Sequence, residues 1–205
     1  MPPEGYRLVS QVLDPALIAS LGECAFGHGQ RDILRREPKI AALVQLPIVQ
    51  DLVTSALSPT AQPISGIWFD KAPGANWWVP WHRDEHIPTM PFVAEGWGPW
   101  RDKDGVPHVV CPEPWRSRRV ALRFHLDDAD ATQGALEVAP GSHLTTAMEP
   151  AGPTSMIEVR AGDVLVMHPL LLHRSRPAQT PRHRRVIHLE WCDLPLPGEG
   201  HWVES

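Results

Sequence analysis

The chain has 205 residues, 42% of them hydrophobic and 21% charged, a composition typical of one packed domain and not of a disordered chain or a coiled coil. Its net charge of -5 argues against a nucleic-acid-binding protein, which would normally be basic. We find neither an apolar run of about 18 residues that could span a membrane nor a signal peptide, and therefore expect a cytoplasmic protein without a membrane partner.

The first 60 residues are predicted to be a helical packing region. Asp14 is typical of an N-cap and Pro15 of a first helical position, and apolar residues follow at helical spacing. A second helical region is predicted from about Pro38, and Pro47 restarts it.

Residues 61–192 are instead predicted to form a β-sheet core. Short segments rich in Val, Ile, Leu and Trp are bounded there by Gly or Pro, which is typical of strands. The predicted strands are 64–71, 78–84, 120–127, 135–139, 155–160, 163–167, 170–175 and 185–192. Eight short strands without helices between them favour a jelly roll, preceded by helices, over a parallel α/β sheet.

The segment 85–118 interrupts this core. It is rich in proline, shows no clear period and is too long for an ordinary loop, so we expect a lid or a substrate-binding segment. Its residues Trp97 and Trp100 are candidate substrate contacts, because tryptophan in an irregular segment lacks a periodic packing face.

His82 and Asp84 are candidate metal ligands. Residues two apart on a strand point to the same face, so an imidazole and a carboxylate would lie side by side. A third ligand could come from any of several histidines, and His173, which closes a late strand, is the natural choice. The other candidates are His86, His125, His143, His168 and His188. Two histidines and one carboxylate suit an oxygen-activating iron, although zinc hydrolases use related sets.

Arg184 begins a strand shortly after His173 and could place its guanidinium inside the barrel. Such a fork pairs bidentately with a carboxylate. Strand alternation puts Arg184 on one face with Glu190, and Arg185 on the other face with Leu189. We predict that the second face packs in the core.

Several motifs, in order and at matching spacing, make the region from about 64 to 191 resemble the phytanoyl-CoA dioxygenase-like family. They are Pro80-Trp81-His82-Arg83-Asp84, His125-Leu126-Asp127-Asp128, Gly134-Ala135-Leu136, Pro140-Gly141-Ser142-His143, His168-Pro169-Leu170-Leu171-Leu172-His173-Arg174-Ser175 and Arg184-Arg185-Val186-Ile187. The runs Trp68-Phe69-Asp70-Lys71 and Gly105-Val106-Pro107-His108 look like a bacterial branch of that family.

This resemblance implies a double-stranded β-helix and a dioxygenase that uses Fe(II), 2-oxoglutarate and O2. It also implies that His82, Asp84 and His173 hold the iron, and that Arg184 and Ser175 bind the distal carboxylate of 2-oxoglutarate. The expected reaction is hydroxylation of a small molecule with release of succinate and CO2. The alternatives are a cupin-like metalloenzyme that does not use 2-oxoglutarate and a catalytically silent binding barrel.

Two arginines depart from the family pattern. Arg83 stands where many members have Gln, and Arg123 occupies a position that is often aromatic or apolar. Alternation places Arg123 and His125 on one face, which either looks into the pocket, where both would bind a polar or anionic substrate, or is a solvated outer face. Trp81, beside the metal strand, either packs in the core or stacks on the substrate.

Overall fold

The computed structural model describes residues 1–180 and 182–204. Its helices are α1 (Pro15–Gly22), α2 (Ile33–Arg36), α3 (Pro38–Leu43) and α4 (Pro47–Ala56). Its strands are β1 (Tyr6–Val9), β2 (Gly29–Arg31), β3 (Gln62–Lys71), β4 (Val79–His82), β5 (His86–Pro88), β6 (Arg101–Lys103), β7 (Val106–Val110), β8 (Arg119–His125), β9 (Leu136–Val138), β10 (Ser155–Ile157), β11 (Val164–Met167), β12 (His173–Ser175) and β13 (Arg184–Cys192).

Two antiparallel sheets form the double-stranded β-helix that the sequence predicts. The major sheet has the strand order β1-β11-β8-β13-β3-β2, and the minor sheet has the order β10-β9-β12-β4. The chain moves repeatedly between them, because β8, β11 and β13 lie in the major sheet while β9, β10 and β12 lie in the minor one. The outcome is a jelly roll with a cavity between the sheets.

The helices cover the outer face of the major sheet. Phe124 of β8 and Ile187, Leu189 and Trp191 of β13 are fully buried in the cluster that these helices complete. The predicted N-cap of α1 is confirmed, since the Asp14 carboxylate accepts a hydrogen bond from the Leu17 amide at 2.8 Å. Among the described residues, no helix is long and apolar enough to cross a membrane.

The prediction of a helical region over residues 1–60 is wrong in part. β1 pairs with β11 and β2 pairs with β3, so both early strands lie at the edges of the major sheet. Short edge strands of this kind are formed by distant partners and leave little local pattern. The strand predicted over 170–175 begins only at His173, because the residues before it form a turn in which the Leu171 amide donates to the His168 carbonyl.

The segment 85–118 has a sheet of its own, which its irregular sequence did not predict. Its strands pair in the order β5-β7-β6. Trp97 and Trp100 pack on Phe92, and Trp97 meets Trp115 edge-on with ring centroids 5.2 Å apart. This cluster lies against buried Val109, so the tryptophans have an apolar packing role. A role of the segment as a lid stays a prediction.

The C-terminal tail ties this insert to the rest of the fold. Trp202 bridges to Thr89, and the Glu204 carboxylate then reaches the core, where it accepts hydrogen bonds from the amides of Leu34 (3.0 Å) and Gly66 (2.8 Å). Burial raises the pKa of Glu204 to about 7, in spite of these two donors. The folded protein therefore keeps this carboxyl protonated at a pH where the unfolded chain ionises it.

This difference predicts a pH-dependent stability. Unfolded Glu204 ionises near 4.5, so its stabilising contribution is complete below that pH and is lost as the pH rises through about 7. The loss amounts to about 3 kcal/mol, from a pKa difference of roughly 2.5 units. We expect the free energy of unfolding of the wild type, measured by denaturant titration, to fall by this amount relative to that of Glu204→Gln between pH 4 and pH 8. Glu199→Gln, an exposed position in the same tail, should keep the wild-type profile.

Candidate metal centre and cavity

The pairing of β12 with β4 builds the centre of the cavity. His173 and His82 are register partners on these antiparallel strands, and their ring centroids are 4.1 Å apart. Asp84 follows β4, and its amide donates to the carbonyl of Pro169 at 2.9 Å. Its carboxylate oxygens lie 3.6 Å from His82 Nε2 and 3.5 Å from His173 Nε2.

Both imidazoles are held in one orientation by their own strands. The Nδ1 atom of His82 is 2.9 Å from the Pro80 carbonyl, and that of His173 is 2.8 Å from the Leu171 carbonyl. Each Nδ1–H therefore donates to the backbone, which leaves each Nε2 lone pair directed at the Asp84 carboxylate. Burial lowers the pKa of His173 to about 3, so this ring is neutral at physiological pH.

These three side chains fit a divalent metal. One ligand atom from each of His82, Asp84 and His173 lies within 4.8 Å of the others. Two neutral imidazoles and one carboxylate on one face match the ligand set of non-haem Fe(II) oxygenases, and they leave coordination positions open. The cavity around them has a volume of about 260 Å³.

At one end of the cavity lies Arg184, next to the predicted partner Ser175. Arg184 Nη2 donates to Ser175 Oγ at 3.1 Å, Nη1 donates to the Gly134 carbonyl, and the buried Nε has no partner among the described residues. Burial and nearby Arg123 lower the pKa of Arg184 to about 10, so the guanidinium stays charged at neutral pH. A charged fork with a spare donor, facing a cavity, suits a carboxylate ligand.

Lys71 is a residue of this end that sequence reasoning missed. Its ammonium donates to Ser175 Oγ at 2.9 Å and to the Arg176 carbonyl at 3.0 Å. Burial, Arg184 and Arg123 lower its pKa to about 7. The only available signal was a lysine at the end of the strand predicted over 64–71, and its pairing with Arg184 requires the register of β3 with β13.

Arg123 also lines the cavity, so its face looks inward. A buried polar chain starts there: Arg123 Nη1 is 3.1 Å from His188 Nδ1, and His188 Nε2 is 3.3 Å from a Glu190 oxygen. The other Glu190 oxygen accepts from Arg119 Nη1 at 2.9 Å, and Arg119 Nη2 donates to the Asp84 carbonyl at 2.7 Å. The chain therefore connects the cavity wall to the backbone of the carboxylate ligand candidate.

The other predicted substrate contacts lie outside the cavity lining. His125 is buried beside it, and neither ring nitrogen has a partner in the described part of the chain. Trp81 packs under the Arg174 guanidinium at 4.6 Å, and Trp97 and Trp100 belong to the apolar cluster of the insert. The three tryptophans therefore pack against other side chains of the protein and do not line the cavity.

Arg83, the other departure from the family pattern, anchors backbone carbonyls. Its Nη1 donates to the carbonyls of Ser142 (2.8 Å) and Leu170, and its Nη2 donates to the Ala147 carbonyl. The guanidinium thus holds the loop after β9 and the turn before β12 next to the metal strand.

Residues 26–186 match the family Phytanoyl-CoA dioxygenase (PhyH). The chain belongs to this family. The predicted resemblance is confirmed, and the protein is an oxygenase of the Fe(II)- and 2-oxoglutarate-dependent type. Its cofactors are accordingly Fe(II), 2-oxoglutarate and O2. No curated protein matches the chain.

Similar solved structures share this fold at low sequence identity. AviO1 from Streptomyces viridochromogenes Tue57 is 23% identical with a TM-score of 0.69, over 95% of this chain and 92% of that one. HygX from Streptomyces hygroscopicus with iron bound is 17% identical with a TM-score of 0.68, over 93% and 83% of the two chains. The 2-oxoglutarate-dependent epimerase SnoN from nogalamycin biosynthesis is 17% identical with a TM-score of 0.70, over 97% and 87%.

The buried ion pair between Arg119 and Glu190 should be essential to the stability of this PhyH protein. Both side chains are almost fully buried, so Glu190→Gln would leave the Arg119 charge without compensation. We expect a loss of about 3–5 kcal/mol in the free energy of unfolding, measured by denaturant titration. Glu23→Gln removes a carboxylate from an ion pair of the same 2.9 Å length on the surface, and should leave stability unchanged. Similar effects of the two substitutions would contradict the burial argument.

Proposed function

We propose that this protein hydroxylates a small polar molecule and converts 2-oxoglutarate to succinate and CO2. The observation that carries the proposal is the position of His82, Asp84 and His173 around one point, in the same cavity as the buried Arg184 and Ser175. HygX has been crystallised with nickel and 2-oxoglutarate, which supports the proposal that this cavity holds a divalent metal together with 2-oxoglutarate.

In this proposal His82, Asp84 and His173 hold Fe(II) through two Nε2 atoms and one carboxylate oxygen. When bound, the iron and 2-oxoglutarate together supply the oxidising chemistry, with O2 as the oxidant. Asp84 adds the one negative protein ligand, and the hydrogen bonds of the histidine Nδ1 atoms fix the ligand directions before the metal enters.

Arg184 would hold the distal carboxylate of 2-oxoglutarate. Its free Nε lies at that end of the cavity together with the Lys71 ammonium and Ser175, whose Oγ accepts from both cations and donates to the Gly134 carbonyl. Because all three are buried, an anion bound there would be desolvated and held strongly. A cupin-like enzyme that does not use 2-oxoglutarate has no need of such a group. These residues therefore favour the proposed oxygenase over that alternative.

Hydroxylation is favoured over halogenation because Asp84 fills the position that a halide would need. Other outcomes occur on this fold: SnoN is an epimerase and SnoK, from the same biosynthesis, is a carbocyclase. Arg123 at the cavity wall favours a polar substrate.

An anaerobic titration with Fe(II) and 2-oxoglutarate tests the proposal directly. Chelation of the 2-oxo acid by iron gives a metal-to-ligand absorption band that neither a silent barrel nor a cupin without 2-oxoglutarate would show. Succinate release with candidate substrates, together with mass analysis of the product, then separates hydroxylation from the other outcomes.

Arg184→Lys should weaken 2-oxoglutarate binding by about 2–5 kcal/mol, which is at least roughly 30-fold in Kd, because lysine cannot reproduce the fork. Iron binding should stay near normal. Arg185→Lys is the matched control, since the neighbouring guanidinium pairs with Asp127 outside the cavity at 2.8 and 2.9 Å. An equal loss of 2-oxoglutarate affinity in the two variants, measured by the absorption titration, would mean that we have assigned the anchor to the wrong face of β13.

Asp84→Ala should reduce Fe(II) affinity by at least roughly 100-fold, since it removes a ligand and not merely a residue that orients one. Hydroxylation of the substrate should be lost while the fold survives. Glu85→Ala is the control, because this neighbouring carboxylate is engaged by Arg116 at 2.6 Å. An Asp84→Ala protein that couples 2-oxoglutarate decarboxylation to hydroxylation at the wild-type rate would show that the triad is wrongly assigned.

A further inference from the structure

A second group of basic side chains lines the cavity away from Arg184. It consists of Arg31 on β2, His86 on β5, Lys103 on β6 and His108 on β7, and we call it the basic cluster. Three of its four members come from the insert that interrupts the jelly roll. None of them belongs to the proposed metal or 2-oxoglutarate sites.

The strand register separates Arg31 of this basic cluster from Arg184. Arg31 pairs with Ile67, and Arg184 pairs with Lys71. These two partners are four residues apart on β3, which is about 13 Å along the strand. Lys103 is close enough to Asp84 to interact with its charge. The basic cluster thus shares the cavity with the triad and lies away from Arg184.

The positive charge of the basic cluster rests on Arg31 and Lys103, and the described residues compensate it only in part. Lys103 has no hydrogen-bond or ion-pair partner in the described residues, and the one ion pair of Arg31 joins its Nε to the exposed Asp104 at 3.2 Å. The nearby carboxylate of Glu85 is engaged by Arg116, and that of Glu190 by Arg119.

The charges also repel one another. Burial lowers the pKa of Lys103, and the positive charge of Arg31 lowers it further. His108 is buried and neutral, because burial lowers its pKa to about 4, and its Nδ1–H donates to the Val106 carbonyl at 2.8 Å. An anion between Arg31 and Lys103 would relieve their repulsion and gain a charged contact with each of them.

We infer that the basic cluster binds an anionic group of the substrate, a phosphate, sulfate or carboxylate, next to the metal triad. This inference rests on the proposed oxygenase function, and it names the class of substrate. A substrate held at its anionic end by Arg31 and Lys103 presents its neighbouring carbon atoms to the triad. 2-Oxoglutarate and the substrate would then be anchored by separate cations at opposite ends of one cavity.

The first test measures anion binding by calorimetry, under anaerobic conditions, on protein loaded with Fe(II) and 2-oxoglutarate. Inorganic phosphate, sulfate and acetate are titrated separately into wild type, Lys103→Gln, Arg31→Gln and Arg101→Gln. Arg101 is the matched control, because it lies on the same strand as Lys103 but is exposed and does not line the cavity. We expect at least one anion to bind wild type and Arg101→Gln alike, and to bind the other two variants at least roughly 10-fold more weakly.

The absorption band of iron-chelated 2-oxoglutarate is recorded for every protein in the same experiment. A wild type without this band contradicts the proposed function itself. A wild type that shows the band but binds none of the three anions overturns only the present inference. Anion binding that is equal in all four proteins also overturns it, since the anion would then sit on the metal or elsewhere.

A second test compares pairs of compounds that differ only in one anionic group, such as a phosphate monoester and its parent alcohol. We expect only the anionic member to stimulate succinate release. For each pair in which the anionic compound stimulates succinate release, Lys103→Gln should raise KM for that compound. The affinity for 2-oxoglutarate should stay unchanged. Stimulation by the neutral member alone would contradict the inference.

Discussion

The antiparallel pairing of β12 with β4 is the interaction on which the rest of the site depends. It sets His173 opposite His82, and the backbone hydrogen bonds of each strand fix the imidazole that it carries. Asp84 completes the set because its own amide is held by the turn that precedes β12. A shift of this register by one residue would turn His173 to the other face of the minor sheet and remove it from the other two ligands.

The two faces of strand β13 in the major sheet lie in different environments. One face of β13 carries Ile187, Leu189 and Trp191 into the core beneath the helices, while the other face carries Arg184 and Glu190 towards the cavity. Burying charges is costly unless partners or ligands compensate for them. In the described part of the chain Glu190 has a partner in Arg119, whereas the buried Nε of Arg184 has none, and this difference supports the proposed anion site at that end of the cavity.

The jelly roll and its insert contribute different parts of the site. Strands of the two main sheets carry His82, His173 and Arg184, and Asp84 follows β4; these are the proposed ligands of iron and 2-oxoglutarate. The insert, packed through its own tryptophans and the C-terminal tail, carries Lys103 and His108 to the cavity wall. Side chains on paired strands are held more precisely than side chains on loops.

The sequence by itself determined that Arg184 and Arg185 lie on opposite faces of one strand, because backbone alternation is local. The same rule paired His82 with Asp84, although β4 ends at His82 and the position of Asp84 depends on the hydrogen bond from its amide to the Pro169 carbonyl. Together with the family motifs, this was enough for the fold and for the family to be predicted. Only the tertiary structure decided which of the histidines joins the first two, that Lys71 lies beside Arg184, and that β1 and β2 close the edges of the major sheet. These features depend on pairing between strands far apart in the chain, and local periodicity says which face a residue occupies but not which other face it will meet.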